Sequence, residues 1–207
     1  MRIEQIDAYV VKLPRSNVPE SIPDYARPRK SLSYDTSPPI DDMAGVRYAE
    51  ALFVKITADN GLVGWGEGQS LLVPEATKAI VDRLFSPILI GENPLAREKL
   101  YDMTYGVMRG RGYRSGYLAA ALAGINNALW DLSGKALDVP CYVLLGGPYR
   151  DKVRIYNNIQ GPTPEIGVEN ALKAVEMGYD AVKYHLNRPL KNAVAVVEAT
   201  REAVGPD

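Results

Sequence analysis

The C-terminal part of the chain alternates between strand-like and helix-like segments joined by short links. Residues 153–159 and 181–186 are rich in β-branched and aromatic residues, which predicts two strands. Residues 164–177 and 190–204 have the apolar spacing of amphipathic helices. Strand–helix–strand–helix order is typical of parallel sheets and of (β/α) barrels. No other feature of the sequence restricts the fold class as strongly.

The sequence ends before this alternation could form a complete sheet. Two strands do not make a parallel sheet that is covered on both faces. A complete (β/α)₈ barrel takes about 250 residues, whereas the whole chain has 207. Asp207 stands where a third strand would begin. We therefore expect this sequence to be the front of a longer protein, with an incomplete barrel.

The first half of the chain has a different organisation. Residues 3–13 predict a strand, and residues 14–45 are rich in proline with few periodic apolar positions. A stretch of that length without secondary structure is usually functional or disordered. We interpret it as a mobile loop, with a merely disordered insertion as the alternative.

A hairpin and three helices follow this loop. Residues 48–58 and 62–68 predict two strands, joined by Asp59-Asn60-Gly61, which supplies the positive-φ residues of a tight turn. The helices are predicted over 74–85, 94–108 and 116–137, and a short apolar turn over 141–145. Three strands followed by helices indicate an α+β unit.

Glu67 and a cluster of arginines are the polar features of this first half. Glu67 shares a strand face with Trp65, and we expect it to be a buried structural acid rather than a site residue. Three arginines stand within residues 109–114. They could bind a carboxylate or a phosphate, although a solvated helix connection explains them more simply.

The second strand of the alternating region carries the clearest candidates for catalysis. Because side chains alternate along a strand, Lys183 and His185 share one face and Tyr184 lies on the other. Burying a lysine is costly without a partner or a task, and polar residues at the inner ends of barrel strands are typically catalytic. A solvated edge strand is the alternative. Tyr156 and Asn158 share a face of the first strand, although Asn158 could simply form a turn.

Composition excludes several classes of function. The 24 Lys and Arg residues are balanced by 25 Asp and Glu, giving a net charge of -1, which argues against nucleic-acid binding. The single His and single Cys exclude a multi-histidine metal site and an internal disulfide. No apolar run reaches the ~20 residues of a membrane helix, and the first residues lack the apolar core of a signal peptide. We expect a cytoplasmic protein without a membrane partner.

Several motifs in order resemble the enolase superfamily, in its mandelate racemase/muconate lactonizing enzyme branch. The resemblance runs over essentially the whole chain. Its markers are the hairpin ending Gly-Leu-Val-Gly-Trp-Gly-Glu, the run Ala-Leu-Trp-Asp-Leu-Ser-Gly-Lys-Ala-Leu from Ala128, Leu-Leu-Gly-Gly from Leu144, Tyr156, and Gly-Tyr-Asp-Ala-Val-Lys ending at Lys183.

The resemblance implies an α+β capping domain followed by a TIM-type barrel. We expect the capping domain at 1–125, with its mobile loop at 14–45, and the first two βα units of the barrel at 126–207. Family members hold Mg²⁺ with acids at the ends of the third to fifth barrel strands. Those strands would lie beyond Asp207, so we expect no metal ligand in this chain.

The resemblance also implies a role for Lys183. It matches the first position of the family's Lys-x-Lys motif, where the base removes the proton α to a carboxylate to give an enediolate. His185 departs from the pattern by standing where racemases have a second lysine, and this superfamily uses either Lys or His as its base. We expect Lys183 and His185 to be catalytic, and Asn158 and Tyr156 to bind substrate.

The reaction implied most directly is the Mg²⁺-dependent dehydration of a sugar acid by the full-length protein. Racemisation, epimerisation or cycloisomerisation through the same intermediate is the first alternative. A catalytically inactive fragment or interaction module is the second, and we expect these 207 residues alone to be inactive. The expected partner is a small carboxylate substrate, and the full-length protein is expected to be a homo-oligomer.

Overall fold

The computed structural model describes residues 1–14, 48–70, 73–184 and 190–206. Contacts divide the chain into two compact units, and the division falls between Tyr149 and Arg150. Residue 125, where we expect the capping domain to end, lies within a long helix of the first unit. That helix packs on the sheet of the first unit. The loop predicted over 14–45 lies, beyond Pro14, outside the described residues.

The first unit is built on a three-stranded antiparallel sheet. Its strands are β1 (Ile3–Pro14), β2 (Tyr48–Ala58) and β3 (Val63–Gly68), in the order β1-β2-β3. The predicted hairpin is confirmed: Gly61 has a φ of 83°, and its backbone N–H donates to the Ala58 carbonyl at 2.9 Å.

Helices cover one face of this sheet. They are α1 (Pro74–Ile80), which continues through a π-helical turn (Val81–Phe85) into α2 (Ser86–Leu89), then α3 (Arg97–Arg109), α4 (Tyr117–Leu137) and the short α5 (Cys141–Leu144). The three predicted helices are therefore confirmed, with shifted ends. Helix α3 begins later than predicted because Asn93 forms a turn, accepting the N–H of Leu95 on its side chain at 3.0 Å. The predicted turn at 141–145 is a helix of one turn.

Helix α4 lies directly against β3 because three alternate positions of that strand are glycine. A Cβ at Gly64 would stand 2.6 Å from the Cβ of Leu132, and one at Gly68 would stand 2.5 Å from the Ala120 carbonyl oxygen. A Cβ at Gly66 would overlap the backbone of α4 at Gly124 and Ala128. No side chain larger than hydrogen fits between strand and helix.

Polar side chains of α4 also cover the outer edge of β3. Residues of the helix spaced four apart reach alternate residues of the strand. The Asp131 carboxylate accepts the Trp65 N–H at 2.8 Å, Lys135 donates to the Val63 carbonyl at 2.9 Å, and Asn127 donates to the Glu67 carbonyl at 3.1 Å. These bonds occupy an edge that would otherwise be open to pairing with another strand. The Glu67 side chain is exposed, so its prediction as a buried acid was wrong.

The core of the first unit lies between the sheet and the helices. Its fully buried residues come from both the sheet and the helices, and include Ile3, Leu52, Val54, Ile56, Phe85, Leu100, Ile125, Leu129 and Leu132. Trp130, beside this core on α4, is half-buried, and the guanidinium carbon of Arg97 lies 3.7 Å from the centre of its ring.

The second unit is the predicted strand–helix–strand–helix. It consists of β4 (Asn157–Ile159), α6 (Pro164–Glu176), β5 (Val182–Tyr184) and α7 (Leu190–Val204), and β4 pairs with β5 in parallel. Strand β4 is shorter than the predicted 153–159. Val153 and Ile155 are exposed, and no described strand pairs with the chain at these two residues. Residues 185 and 186 of the predicted second strand lie outside the described residues.

Candidate functional site

The pairing of β4 with β5 brings two of the predicted site residues side by side. Asn158 is the register partner of Lys183, so the two side chains lie on the same face of the sheet. Asn158 is exposed and Lys183 is half-buried. The amide and the ammonium therefore share one surface.

The opposite face of β5 is held by the two helices. Ile159, Val182 and Tyr184 pack with Ala171 and Ala174 of α6 in an apolar cluster. This arrangement confirms the prediction that Val182 and Tyr184 face the helices, and it leaves Lys183 on the other side of the strand.

The Tyr184 hydroxyl fixes the strand to both helices. It donates to the Gly167 carbonyl of α6 at 2.8 Å and lies 2.8 Å from the Thr200 hydroxyl of α7. Since the tyrosine proton goes to Gly167, the Thr200 hydroxyl is the donor in the second bond. A Cβ at Gly161 would stand 2.8 Å from the Tyr184 ring, so this glycine makes room for the tyrosine. These contacts hold the backbone of β5 in place from the face opposite to Lys183.

Tyr156 lies next to the candidate base. The Lys183 Nζ is 5.5 Å from the centre of the Tyr156 ring, within the range of a cation–π interaction. Tyr156 itself is 53% exposed. The aromatic ring gives the ammonium a preferred position, and both groups remain accessible to a ligand.

The ion pair of Arg154 with Asp180, which we call the clasp, lies just before the two strands and sets their alignment. Arg154 donates from Nε to the Asp180 carboxylate at 2.9 Å and from its terminal nitrogen to the Asp180 carbonyl at 3.1 Å. The Asn157 N–H donates to the Ala181 carbonyl at 2.9 Å. Both side chains of the clasp are largely exposed, so its contribution is mainly to register. Sequence reasoning missed this pair, which only the pairing of β4 with β5 brings together.

Residues at the two ends of α6 fix where the helix begins and where the chain turns toward β5. The Thr163 hydroxyl caps the helix by accepting the Ile166 N–H at 3.4 Å, and Pro164 follows in the first turn. The Thr163 side chain also hydrogen-bonds Glu165 and lowers the pKa of that carboxyl below 4.5. Gly178, with a φ of 88°, ends the helix and turns the chain toward β5.

A groove of about 1010 Å³ runs along the second unit beside β5. Apolar residues of both helices line it, together with the polar side chains of Arg154, Asp180, Lys183, Thr200 and Arg201. The groove places Lys183 at a surface that can take up other groups.

The described residues do not supply a metal centre. No group of three His, Cys, Asp or Glu side chains within them is arranged to hold a metal ion. Three or more oxygen ligands would be needed for Mg²⁺, so the described part of the chain does not fit that ion by itself. His185, the second predicted catalytic residue, lies outside the described residues. Within those same residues, none of the helices has the length and apolar character needed to cross a membrane.

Two curated proteins with related sequences are named as dehydratases of sugar acids. The chain is 36% identical over 215 residues to a D-xylonate dehydratase of Haloferax volcanii, a match that covers 85% of this chain and 50% of the relative. It is 39% identical over 164 residues to a D-galactonate dehydratase of Pectobacterium atrosepticum, covering 74% and 42% respectively. The chain thus spans about half the length of the curated relatives it matches.

A solved structure of a named enzyme is similar to this chain in fold. It is the 3,6-anhydro-D-galactonate cycloisomerase of Zobellia galactanivorans, with a TM-score of 0.75 and 30% identity. The match covers 100% of this chain and 49% of that one. Residues 34–146, more than half of the sequence, match the family described as mandelate racemase / muconate lactonizing enzyme, N-terminal domain. The chain belongs to the mandelate racemase/muconate lactonizing enzyme family of the enolase superfamily.

Proposed function

We propose that this chain is part of a sugar-acid dehydratase in which Lys183 is the base. The observation that carries the proposal is the position of Lys183, which shares a face with Asn158 and lies beside Tyr156, opposite the helices that hold Tyr184. The dehydratases among the relatives support the choice of substrate class. Because the chain spans about half of those relatives, the activity is proposed for the whole protein.

In this proposal Lys183 acts as a neutral amine. Its Nζ takes the proton α to the substrate carboxylate, and the electrons of the broken C–H bond move into the carboxylate to give an enediolate. The hydroxyl on the β-carbon then leaves as water, taking a proton from a general acid that the rest of the whole protein would supply. The resulting enol becomes a 2-keto-3-deoxy acid by tautomerisation.

The neighbours of Lys183 have separate roles in the same proposal. Asn158 donates or accepts a hydrogen bond from a substrate hydroxyl, and the Tyr156 ring orients the lysine side chain. His185 is proposed as the partner of Lys183, on the alternation of the strand. We also propose that the whole protein depends on Mg²⁺, which stabilises enediolates in this superfamily. No step is assigned to that ion, since the described residues do not form its site.

The test is turnover of the whole protein on a panel of sugar acids that includes D-xylonate and D-galactonate. We expect formation of a 2-keto-3-deoxy acid, a loss of about 10³-fold or more in kcat for Lys183→Ala, and loss of turnover when EDTA removes divalent ions. Lys191→Ala is the matched control, because Lys191 is an exposed lysine of α7 in the same unit. Normal turnover by Lys183→Ala would overturn the assignment of the base.

Cycloisomerisation is the second candidate, favoured by the similarity to the Zobellia cycloisomerase. It would use the same proton removal but would release a product with the mass of its substrate. Mass spectrometry of the product separates the two reactions, because dehydration lowers the mass by one water.

A further inference from the structure

The first unit contains a pocket of about 280 Å³ between α3 and α4, with Phe85 at its base. Helix α3 contributes Tyr101 and Tyr105, and helix α4 contributes Leu118 and Leu122. The two tyrosine rings lie 5.9 Å apart and 14° from parallel, so they form one aromatic wall. A pocket of this size and lining suits a small molecule with an apolar or aromatic face.

The lining of this pocket includes one positive charge. Arg114, from the connection between α3 and α4, contributes it, and no acidic residue is among the lining residues. None of the ion pairs between described residues includes Arg109, Arg111 or Arg114. Arg109 lies instead over the Tyr105 ring, with its guanidinium carbon 5.9 Å from the ring centre. The charge of Arg114 therefore lacks a carboxylate partner within the described part of the chain.

The lining also includes a neutral polar group. The Asn126 amide contributes it, two turns along α4 from Leu118. The Thr104 hydroxyl is already committed to the backbone carbonyls of Leu100 and Tyr101, at 2.8 and 2.9 Å. A ligand would thus meet one guanidinium, one amide and several apolar and aromatic side chains.

We infer that this pocket binds a small organic carboxylate with an aromatic or apolar ring. The carboxylate pairs with Arg114, and the ring lies against the tyrosine wall and the leucines of α4. A polyol fits this lining less well, because its hydroxyls would lose water against Phe85, Leu118 and Leu122 without hydrogen-bond partners. The inference uses only residues of the first unit and does not depend on the proposed activity.

Calorimetric titration of the 207-residue chain with benzoate tests the inference directly. We expect a Kd on the order of 1 mM and much weaker binding of the neutral benzyl alcohol. Inorganic phosphate should also bind poorly, since it lacks a ring. Equal binding of phosphate and benzoate would overturn the inference in favour of a bare anion site, and so would the absence of benzoate binding at about 10 mM.

Three variants locate the binding. Arg114→Gln should weaken benzoate binding roughly tenfold, the loss of one charge-assisted hydrogen bond. Arg111→Gln is the matched control, since Arg111 belongs to the same connection but does not line the pocket, and it should bind benzoate like the parent. Ala123→Phe places a ring in the pocket from an exposed position and should abolish binding.

Sedimentation of the parent and Ala123→Phe proteins distinguishes a ligand pocket from a contact between two copies. We expect the same sedimentation coefficient for both. If Ala123→Phe changes the association state but leaves the benzoate affinity unaltered, the inference is overturned. That result would indicate that a second copy of the chain occupies the pocket. Equal affinity of Arg114→Gln and Arg111→Gln would overturn it as well.

Discussion

The carboxylate of Asp131, on the long helix α4, accepts the backbone N–H of Trp65 on the edge strand β3 at 2.8 Å. The same oxygen accepts a hydrogen bond from Lys135 at 2.6 Å, and Lys135 donates onward to the Val63 carbonyl. One carboxylate therefore connects the helix to the strand directly and through its neighbour. The two positions are 66 residues apart in sequence.

Replacing Asp131 should destabilise the first unit by more than the replacement of an ordinary surface carboxylate does. We expect Asp131→Ala to lower the free energy of unfolding by about 1–3 kcal/mol, because the Trp65 N–H loses its acceptor. Asp131→Asn should lose less, since an amide oxygen can still accept. Urea unfolding measures both. Asp82→Ala, which breaks an exposed i,i+4 pair with Lys78, should cost about 0.5 kcal/mol, and a similar loss in Asp131→Ala would contradict this role.

The contact between Gly66 and helix α4 predicts an unusually damaging glycine-to-alanine change. A Cβ at Gly66 would overlap the backbone of Gly124 and Ala128, which cannot move as a side-chain tip could. We expect Gly66→Ala to lower stability by about 3 kcal/mol or more. Gly106 on α3 is the control: a Cβ there meets nothing within 4 Å, so Gly106→Ala should stabilise by about 0.5–1 kcal/mol. Thermal unfolding of both variants decides the matter, and equal melting temperatures would refute the close-packing argument.

The hydroxyl of Tyr184 predicts a local effect in the second unit. Tyr184→Phe removes the bonds to Gly167 and Thr200 and should destabilise this unit by about 1–2 kcal/mol. Hydrogen exchange of amides in α6 and α7 should then be faster, with the first unit unchanged. Tyr179→Phe serves as the control, because Tyr179 packs on the same apolar cluster. Equal acceleration in both variants would show that the hydroxyl bridge is not the cause.

Sequence patterns predicted the features that depend on neighbours in the chain. The turn at Asp59-Asn60-Gly61 follows from turn chemistry. The position of Lys183 on the face of β5 opposite to Tyr184 follows from strand alternation. The Asp131–Trp65 bond and the Arg154–Asp180 clasp could not be predicted this way, since each requires two distant segments to dock first. The extent of the first unit could not be predicted this way either. Composition does not show that α4 packs on β3, and this packing keeps the whole helix in the first unit.

An ion pair between β1 and α1 predicts a pH-dependent contribution to stability. Lys12 donates to the Glu75 carboxylate at 2.9 Å and lowers the pKa of that carboxyl below 4.5. Because this pKa is lower in the folded state, the stabilisation is present above about pH 4.5 and is lost as the pH falls through the folded value. The bonds to Glu75 and Glu50 raise the pKa of Lys12 above 10.5, so its contribution is complete below about pH 10.5 and declines as the pH rises further.

Melting temperatures of the parent and Glu75→Gln proteins across the acid range check this contribution. The variant should melt slightly lower near neutral pH, and the difference should shrink as the pH falls below about 4.5. The effect is small because the side chains of Lys12 and Glu75 are 42% and 57% exposed to solvent. Glu176→Gln, at an exposed glutamate of α6, is the control and should show no such convergence. A difference that stays constant with pH would assign the effect to packing.

The position of Tyr156 beside Lys183 allows its two proposed roles to be separated. If the ring orients the lysine, Tyr156→Phe should keep the kcat of the whole protein, whereas Tyr156→Leu should lower it about two- to fivefold because the amine is no longer held in position. If the hydroxyl binds substrate, Tyr156→Phe should instead raise KM. Steady-state kinetics on the best sugar acid distinguish these results. Unchanged kcat and KM in Tyr156→Leu would remove Tyr156 from the site, although its ring lies 5.5 Å from the lysine nitrogen.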